Sequence, residues 1–249
     1  MTGENFYQTK KKRISGRSLV LEAFSPAISI VGNFFFPKNC VLCSCRGIML
    51  CDRCQTSLLP ARLKCLACGK HNPYGVYCPG CKKRYKPDLV VSAFAYDDVV
   101  KKIVHEFKYN DVFQLASPLC NVLAARLKRD RSIDNFVTVP VPLHRKRLSH
   151  RGYNQAALIA RHLSDILGIS TVDILTRDKI GETQANLKSP QERRKNVRGV
   201  YSLKDRATVP ENIILVDDVI TSGATIEEIS RLLKRNGART IIGASVAMG

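Results

Sequence analysis

The stretch IILVDDVITSGAT, residues 213–225, decides the fold. Ile213, Ile214, Leu215 and Val216 form a short continuous apolar run, which predicts a strand buried on both faces of a parallel sheet. Asp217 and Asp218 then stand at the carboxyl end of that strand, where open α/β sheets place their ligand sites. Thr221, Ser222, Gly223, Ala224 and Thr225 follow as a loop of small residues, and Ile226, Ile229 and Leu233 carry a helical stripe onward. Strand, loop and helix in this order aim backbone N–H groups, hydroxyls and a helix N-terminus at one point, which suits a phosphate. No lysine follows as in a Walker A loop, so a nucleoside-triphosphatase loop is a poor match.

Carboxylates beside a phosphate cradle repel the phosphate unless they serve another part of the same ligand. Ribose hydroxyls donate to carboxylates in dinucleotide sites, so a ribose 5-phosphate satisfies both halves of the motif. The simpler alternative is a helix N-cap cluster with two incidental acids. Capping, however, has no use for two consecutive acids at the end of a buried strand.

Outward from this stretch, strands and helices alternate. LVVSAFAY (89–96) reads as a strand, Val99, Val100, Ile103, Val104 and Phe107 fall at helical spacing, and 115–129 reads as a second helix. FVTVPV (136–141) reads as a buried strand, 154–167 as a helix and VDIL (172–175) as a short strand. A helix over 225–236 closes at Asn236-Gly237, and TIIGASVA (240–247) is the final strand. The fold class is therefore α/β, an open parallel sheet over residues 88–249.

Nine of the ten cysteines lie between Cys40 and Cys81, which divides the chain. Cys40-x2-Cys43, Cys51-x2-Cys54, Cys65-x2-Cys68 and Cys78-x2-Cys81 are four knuckles, and two knuckles complete a tetrahedral four-thiolate site. Residues 37–84 are thus expected to form a double zinc-ribbon-like module with one or two structural Zn²⁺ ions. One ion per half, interleaved pairing, and one filled beside one degenerate site are all compatible with the spacing. Cys45 and Cys120 are left over as plain thiols, and His71 is out of register with the knuckles and reads as a surface histidine.

Residues 1–18 read as a basic, disordered tail and 19–36 as an apolar segment. KKKR at 10–13 before an apolar run imitates a signal peptide, but Glu22, Pro26 and Asn33 interrupt that run and no small-x-small cleavage site follows. The same interruptions exclude a membrane-spanning helix there. A cytoplasmic protein is expected, with a peripheral position at the membrane left open.

The net charge of +19 favours an anionic partner. Arg145, Lys146, Arg147 and Arg151 form one cationic cluster with His144 and His150, and Arg193, Arg194, Lys195 and Arg198 form another. Pyrophosphate, a nucleic-acid backbone, or solvent alone each accounts for such clusters. Tyr109 and Tyr153 beside them suit either base stacking or internal packing.

The thirteen residues 213–225 closely resemble the signature of type I phosphoribosyltransferases, which bind 5-phosphoribosyl 1-pyrophosphate. VPVPLHRKRLSHRGYNQ (139–155) looks like the segment that forms their pyrophosphate loop. With the cysteine module, FKY (107–109), RGYNQA (151–156) and ERRKNVRG (192–199), the chain resembles the ComF family from about Phe34 to its C-terminus. ComF proteins are phosphoribosyltransferase-like and associated with DNA uptake in natural transformation. Where family members often have glycine after the Lys-Phe/Tyr pair, this chain reads Lys108-Tyr109-Asn110-Asp111.

The resemblance implies a sheet of the type I phosphoribosyltransferase kind and a ligand, 5-phosphoribosyl 1-pyrophosphate, bound with Mg²⁺. Asp217 and Asp218 would hold the ribose 2′ and 3′ hydroxyls and stabilise positive charge at C1, while Thr221, Ser222, Gly223, Ala224 and Thr225 take the 5′-phosphate. Val141, Pro142, Leu143 and His144, with Arg145, Arg147 and Arg151, would take the pyrophosphate. His144 and Glu182 lie in segments where a general base is sought. Single-stranded DNA and a DNA-uptake helicase are the implied macromolecular partners. The competing expectation is an active phosphoribosyltransferase of nucleotide or amide metabolism with no DNA role.

Overall fold

The computed structural model describes residues 39–109, 113–129, 132–177 and 190–249. The basic tail, the apolar segment 19–36, Asn110-Asp111 and Glu182 lie outside the described residues. In chain order the elements are α1 (Asp52–Thr56), β1 (Leu89–Ala95), α2 (Asp98–Tyr109), α3 (Ala116–Lys128), β2 (Val137–Pro140), α4 (Arg145–Arg151) and α5 (Gln155–Leu167). They continue with β3 (Ser170–Thr171), β4 (Leu175–Arg177), α6 (Pro190–Val197), β5 (Tyr201–Leu203), β6 (Asn212–Ile220), α7 (Ala224–Arg235) and β7 (Thr240–Met248).

Five strands form one parallel sheet in the order β1-β7-β6-β2-β3. The apolar run of β6 behaves as its sequence predicts, since Ile213 to Val216 are all fully buried. Ile214 and Val216 face one core with Phe107, Leu119, Leu123 and Leu163, while Ile213 and Leu215 face the other with Val139, Ile229 and Leu233. That alternation is the two-residue period of a strand covered by helices on both faces. Each such side chain contributes about 1.5–3 kcal/mol by leaving water.

Two local expectations change. VDIL (172–175) is no single strand: β3 ends at Thr171 on the sheet edge, and β4 begins at Leu175 in a separate antiparallel hairpin with β5. The hydroxyls of Thr138, Ser164 and Thr171 hydrogen-bond one another at 2.7–2.8 Å and pin β3 to β2, whereas Asp173 turns outward to Lys204 at 2.7 Å. The cationic stretch after residue 144 is the helix α4, although no apolar stripe announces it. Its ends carry the signal: His144 Nδ1 accepts from the Lys146 amide, and Gly152 closes it at φ 75°.

The cysteine module is built onto this sheet, and residues 39–249 form one compact unit. The amides of Ala61, Val90 and Ala95 bond the carbonyls of Ala93, Gly75 and Leu59 at 2.8–3.2 Å, stitching the module along β1. Gly75 has φ +68°, and a Cβ on it would stand 1.9 Å from the Val90 carbonyl oxygen. YKPD (85–88) is tied to the sheet at its end, for Asp88 Oδ2 accepts from Lys234 Nζ at 2.8 Å and from the Ile241 amide at 2.9 Å. Among the described residues no helix is long and apolar enough to cross a membrane.

Candidate functional site

β2 and β6 pair only as far as Pro140 and Val216, after which the Val141 amide donates to the Val216 carbonyl at 2.8 Å. Beyond that point the chain leaves β2 as the loop 141–144, while β6 continues along β7 with Asp217 opposite Ser245. After β2 the chain runs through α5 to β3 on one side; after β6 it runs through α7 to β7 on the other. The crevice between is the sheet's topological switch point, where α/β folds of this kind hold ligands.

Asp217 and Asp218 are half-buried on one lip of it. Each turns one carboxylate oxygen to the following amide, Asp217 Oδ1 to Asp218 N at 2.9 Å and Asp218 Oδ1 to Val219 N at 2.7 Å, which fixes their orientation. Thr221, Ser222, Gly223, Ala224 and Thr225 line a small cleft with Asp217. Gly223 is buried at φ +72° as the N-cap of α7 and has no side chain of its own to cap that end; the Ser222 hydroxyl beside it accepts from the Ala224 amide at a long 3.5 Å. A helix start capped so weakly presents its first amides to an incoming anion.

Opposite, Asn154 holds the loop 141–144: its Nδ2 donates to the Val141 carbonyl at 3.0 Å, and its Oδ1 caps α5 at Ala156. Val141 and Pro142 are buried, and Leu143 and His144 are half-exposed. Of the arginines on α4, Arg145 is exposed and Arg151 reaches Gln155 Oε1 at 3.3 Å. Arg147 is half-exposed, and its charge bears on the ionisation of Tyr201. Lys195 and Arg198 are exposed, and Arg198 lines a separate cleft with Arg84 and Glu228. Tyr153 is a packing residue: its hydroxyl donates to the Phe107 carbonyl and its ring meets Phe107 edge-on at 6.3 Å.

Tyr201 is the site residue that the sequence does not announce. It sits in β5, buried, with Thr225 and Asp217 close enough to bear on the ionisation of its hydroxyl. Burial, reinforced by the Asp217 charge, raises its pKa and keeps the phenol protonated. The Arg177 guanidinium lies 5.5 Å from its ring centre. No local pattern distinguishes Tyr201 from an ordinary strand tyrosine; its place follows from the β4–β5 hairpin reaching back to α7.

The cysteines gather in two consecutive clusters, not interleaved ones. In the first, the sulfurs of Cys40, Cys43, Cys45 and Cys51 lie within 4.8 Å of one another, and the Cys54 thiol is close enough to Cys43, Cys51 and Cys40 for them to raise its pKa. In the second, Cys65, Cys68 and Cys81 lie within 4.8 Å, with Cys78 Sγ 3.7 Å from Cys68 Sγ. A tetrahedron with zinc–sulfur bonds of about 2.3 Å has edges of about 3.8 Å. The sulfur separations of 3.6 Å (Cys43–Cys51) and 3.7 Å (Cys68–Cys78) match that edge, so both clusters can hold zinc.

Burial opposes ionisation of Cys40, but the backbone amides of Cys51, Cys43 and Leu42 outweigh it and bring the thiol down to about 6. The same balance, through Cys78, Cys68 and Ala67, brings Cys65 to about 6. Cys45, expected to be a spare thiol, is instead a fifth sulfur of the first cluster. The two clusters use one turn: the Cys40 amide bonds the Cys45 carbonyl at 2.8 Å and the Cys65 amide bonds the Lys70 carbonyl at 2.9 Å. Ser44 (φ 62°) and Gly69 (φ 74°) occupy the left-handed position of each turn, so Cys45 stands where its repeat has Lys70. His71 is exposed, and the Cys120 thiol is buried and pushed up to about 12 by that burial.

Residues 153–248 match the family model described as phosphoribosyl transferase domain. Competence protein F of Haemophilus influenzae is 32% identical over 222 residues, 83% of this chain and 95% of that protein. DNA utilization protein YhgH of Salmonella typhimurium is 30% identical over 201 residues, covering 78% and 82%. Among solved structures, adenine phosphoribosyltransferase from Leishmania tarentolae aligns with a TM-score of 0.34 over 54% of this chain and 57% of that one, at 15% identity. A relative at 32% identity that is matched over nearly its whole length, cysteine module included, places the present protein beside it. The chain belongs to the ComF family.

Proposed function

We propose that the chain binds 5-phosphoribosyl 1-pyrophosphate together with Mg²⁺ in the crevice between β2 and β6. One observation carries this reading: the oriented acid pair and a helix start whose N-cap is a glycine flank the same switch point. A bare phosphate has no use for Asp217 and Asp218, and a sugar alone has no use for the loop 221–225. A ribose 5-phosphate uses both. The loop 141–144 and Arg147 lie on the opposite side, suited to a pyrophosphate at C1. Mg²⁺, when bound with that pyrophosphate, neutralises its charge and keeps several waters.

Transfer at such a site breaks the bond between C1 and the pyrophosphate oxygen, which leaves with the electron pair while a nucleophile bonds to C1. Asp217 and Asp218, held as carboxylates, favour the positive charge that develops on the sugar. The Tyr201 hydroxyl would steady Thr225 beneath the phosphate.

The biological setting we propose is DNA uptake, with single-stranded DNA and a DNA-uptake helicase as partners. The relatives are named for competence and DNA utilization, and the net charge of +19 supports an anionic polymer as partner. Calorimetric titration with 5-phosphoribosyl 1-pyrophosphate and Mg²⁺ tests the ligand directly. A saturable one-site isotherm, competed by ribose 5-phosphate, is expected; heat no larger than dilution at millimolar ligand would overturn the reading.

A further inference from the structure

The second cysteine cluster is not remote from the phosphate loop. Leu66, between Cys65 and Cys68, lies on Gly223 so closely that a Cβ there would stand 2.5 Å from Leu66 Cδ1. Leu66 is buried in the same core as Ile220, Ala224 and Ile226, the residues that frame the loop. Tyr77, one residue before Cys78, is buried and donates its hydroxyl to Glu227 Oε1 at 2.8 Å. Glu227 lies in the first turn of α7, itself buried, and its other oxygen meets Lys86 Nζ at 2.5 Å. On the outer side, Lys64 Nζ donates to the Gly249 carbonyl at 2.5 Å, and a cleft there is lined jointly by the knuckle 64–69 and by Thr221 and Ser222.

Two struts therefore run from this cluster to the start of α7, and each begins beside a cysteine ligand. Among the described residues the first cluster packs elsewhere: Cys40, Leu50, Cys54 and Leu58 bury in the other core, with Val91, Ala93 and Phe94. The two halves of the module share a turn but differ in what they touch.

We infer that the second cysteine cluster, when it holds its metal, positions the phosphate loop through Leu66 and Tyr77, so that its occupancy sets the affinity of the ribose-phosphate site. Leu66 and Tyr77 are positioning residues: neither touches the ligand. Gly223 in the left-handed conformation has no side chain to cap the first turn of α7, where Ser222 Oγ reaches the Ala224 amide at only 3.5 Å, so the packing of Leu66 and the Tyr77 bond supply support from outside the loop. A tetrahedral site fixes the knuckle, and the knuckle holds the loop. Loss of the metal frees Leu66 to leave Gly223, and the amides that would face the phosphate lose their shared orientation. The effect on affinity rests on the ligand proposed above; the effect on the loop does not.

The test uses the full chain in four variants, each assayed for zinc content, for amide hydrogen exchange over 221–226, and for calorimetric affinity toward 5-phosphoribosyl 1-pyrophosphate with Mg²⁺. Cys68→Ser is expected to raise exchange in the loop and lower affinity, each by at least about tenfold. Cys43→Ser/Cys45→Ser, in the first cluster, is expected to leave both within about twofold. Leu66→Ala keeps the metal yet raises loop exchange, and Leu66→Met restores it, which separates positioning from general loss of fold. Unchanged loop exchange in both Cys68→Ser and Leu66→Ala, or equal losses in the first-cluster variant, would overturn the inference. Should the unaltered chain bind no ligand, the ligand reading falls and the exchange arm still decides this one.

Discussion

With the ribose held as proposed, Asp217→Asn/Asp218→Asn is expected to bind 5-phosphoribosyl 1-pyrophosphate at least about 100-fold more weakly than the unaltered chain, because hydrogen bonds to charged groups contribute about 1.5–3 kcal/mol each. The direction of the change is the informative part. If the crevice were only an anion trap, removing two negative charges beside it would tighten binding of a polyanionic ligand. If the carboxylates hold ribose hydroxyls, the same substitution weakens binding, since the amides are poorer acceptors. The fold should not notice, because the asparagine oxygens can still accept from the Asp218 and Val219 positions' amides and β6 keeps its ladder with β7. Calorimetric titration beside thermal unfolding separates the two effects. Binding as tight as in the unaltered chain, or tighter, would remove the ribose from the account.

Gly75→Ala unfolds at a temperature at least about 10 °C lower, on a scale where 1 kcal/mol shifts the midpoint of a domain this size by about 2–4 °C. The added methyl would sit 1.9 Å from the Val90 carbonyl oxygen, and the obstacle is backbone at the start of β1, not a side chain that can swing away. Alanine also dislikes φ +68°. Relief requires the module to lift from β1, which breaks the bond from the Val90 amide to the Gly75 carbonyl at 2.8 Å and uncovers Tyr77 and Leu66. Circular dichroism on heating is the measurement. A midpoint within about 2 °C of the unaltered chain would mean that the module is not seated on the sheet in this way.

The fold was largely legible because its strongest signals are long and consistent. Ile213–Val216 is apolar without interruption and is buried on both faces, and the acids, small residues and helical stripe follow in fixed order. The cysteine spacing likewise carries the knuckles, and the structure resolves their pairing as consecutive, which spacing alone leaves open. What stayed hidden depends on contacts distant in sequence. Tyr201 reaches Thr225 only because the β4–β5 hairpin folds back, and Leu66 meets Gly223 across more than half the chain. Cys45 was hidden for a different reason: it stands outside the C-x2-C spacing, and the turn through Ser44 is what brings its sulfur to the cluster. Local pattern also misses α4, whose exposed cationic face has no apolar stripe and whose existence rests on its two caps.

The most direct measurement is an electron-density map from crystals of the full chain soaked with 5-phosphoribosyl 1-pyrophosphate and Mg²⁺. The expected density places the 5′-phosphate against the amides of residues 221–225, the ribose hydroxyls on Asp217 and Asp218, and the pyrophosphate beside the loop 141–144. Density for the ligand elsewhere, with this crevice holding only solvent at saturating concentration, would contradict the account.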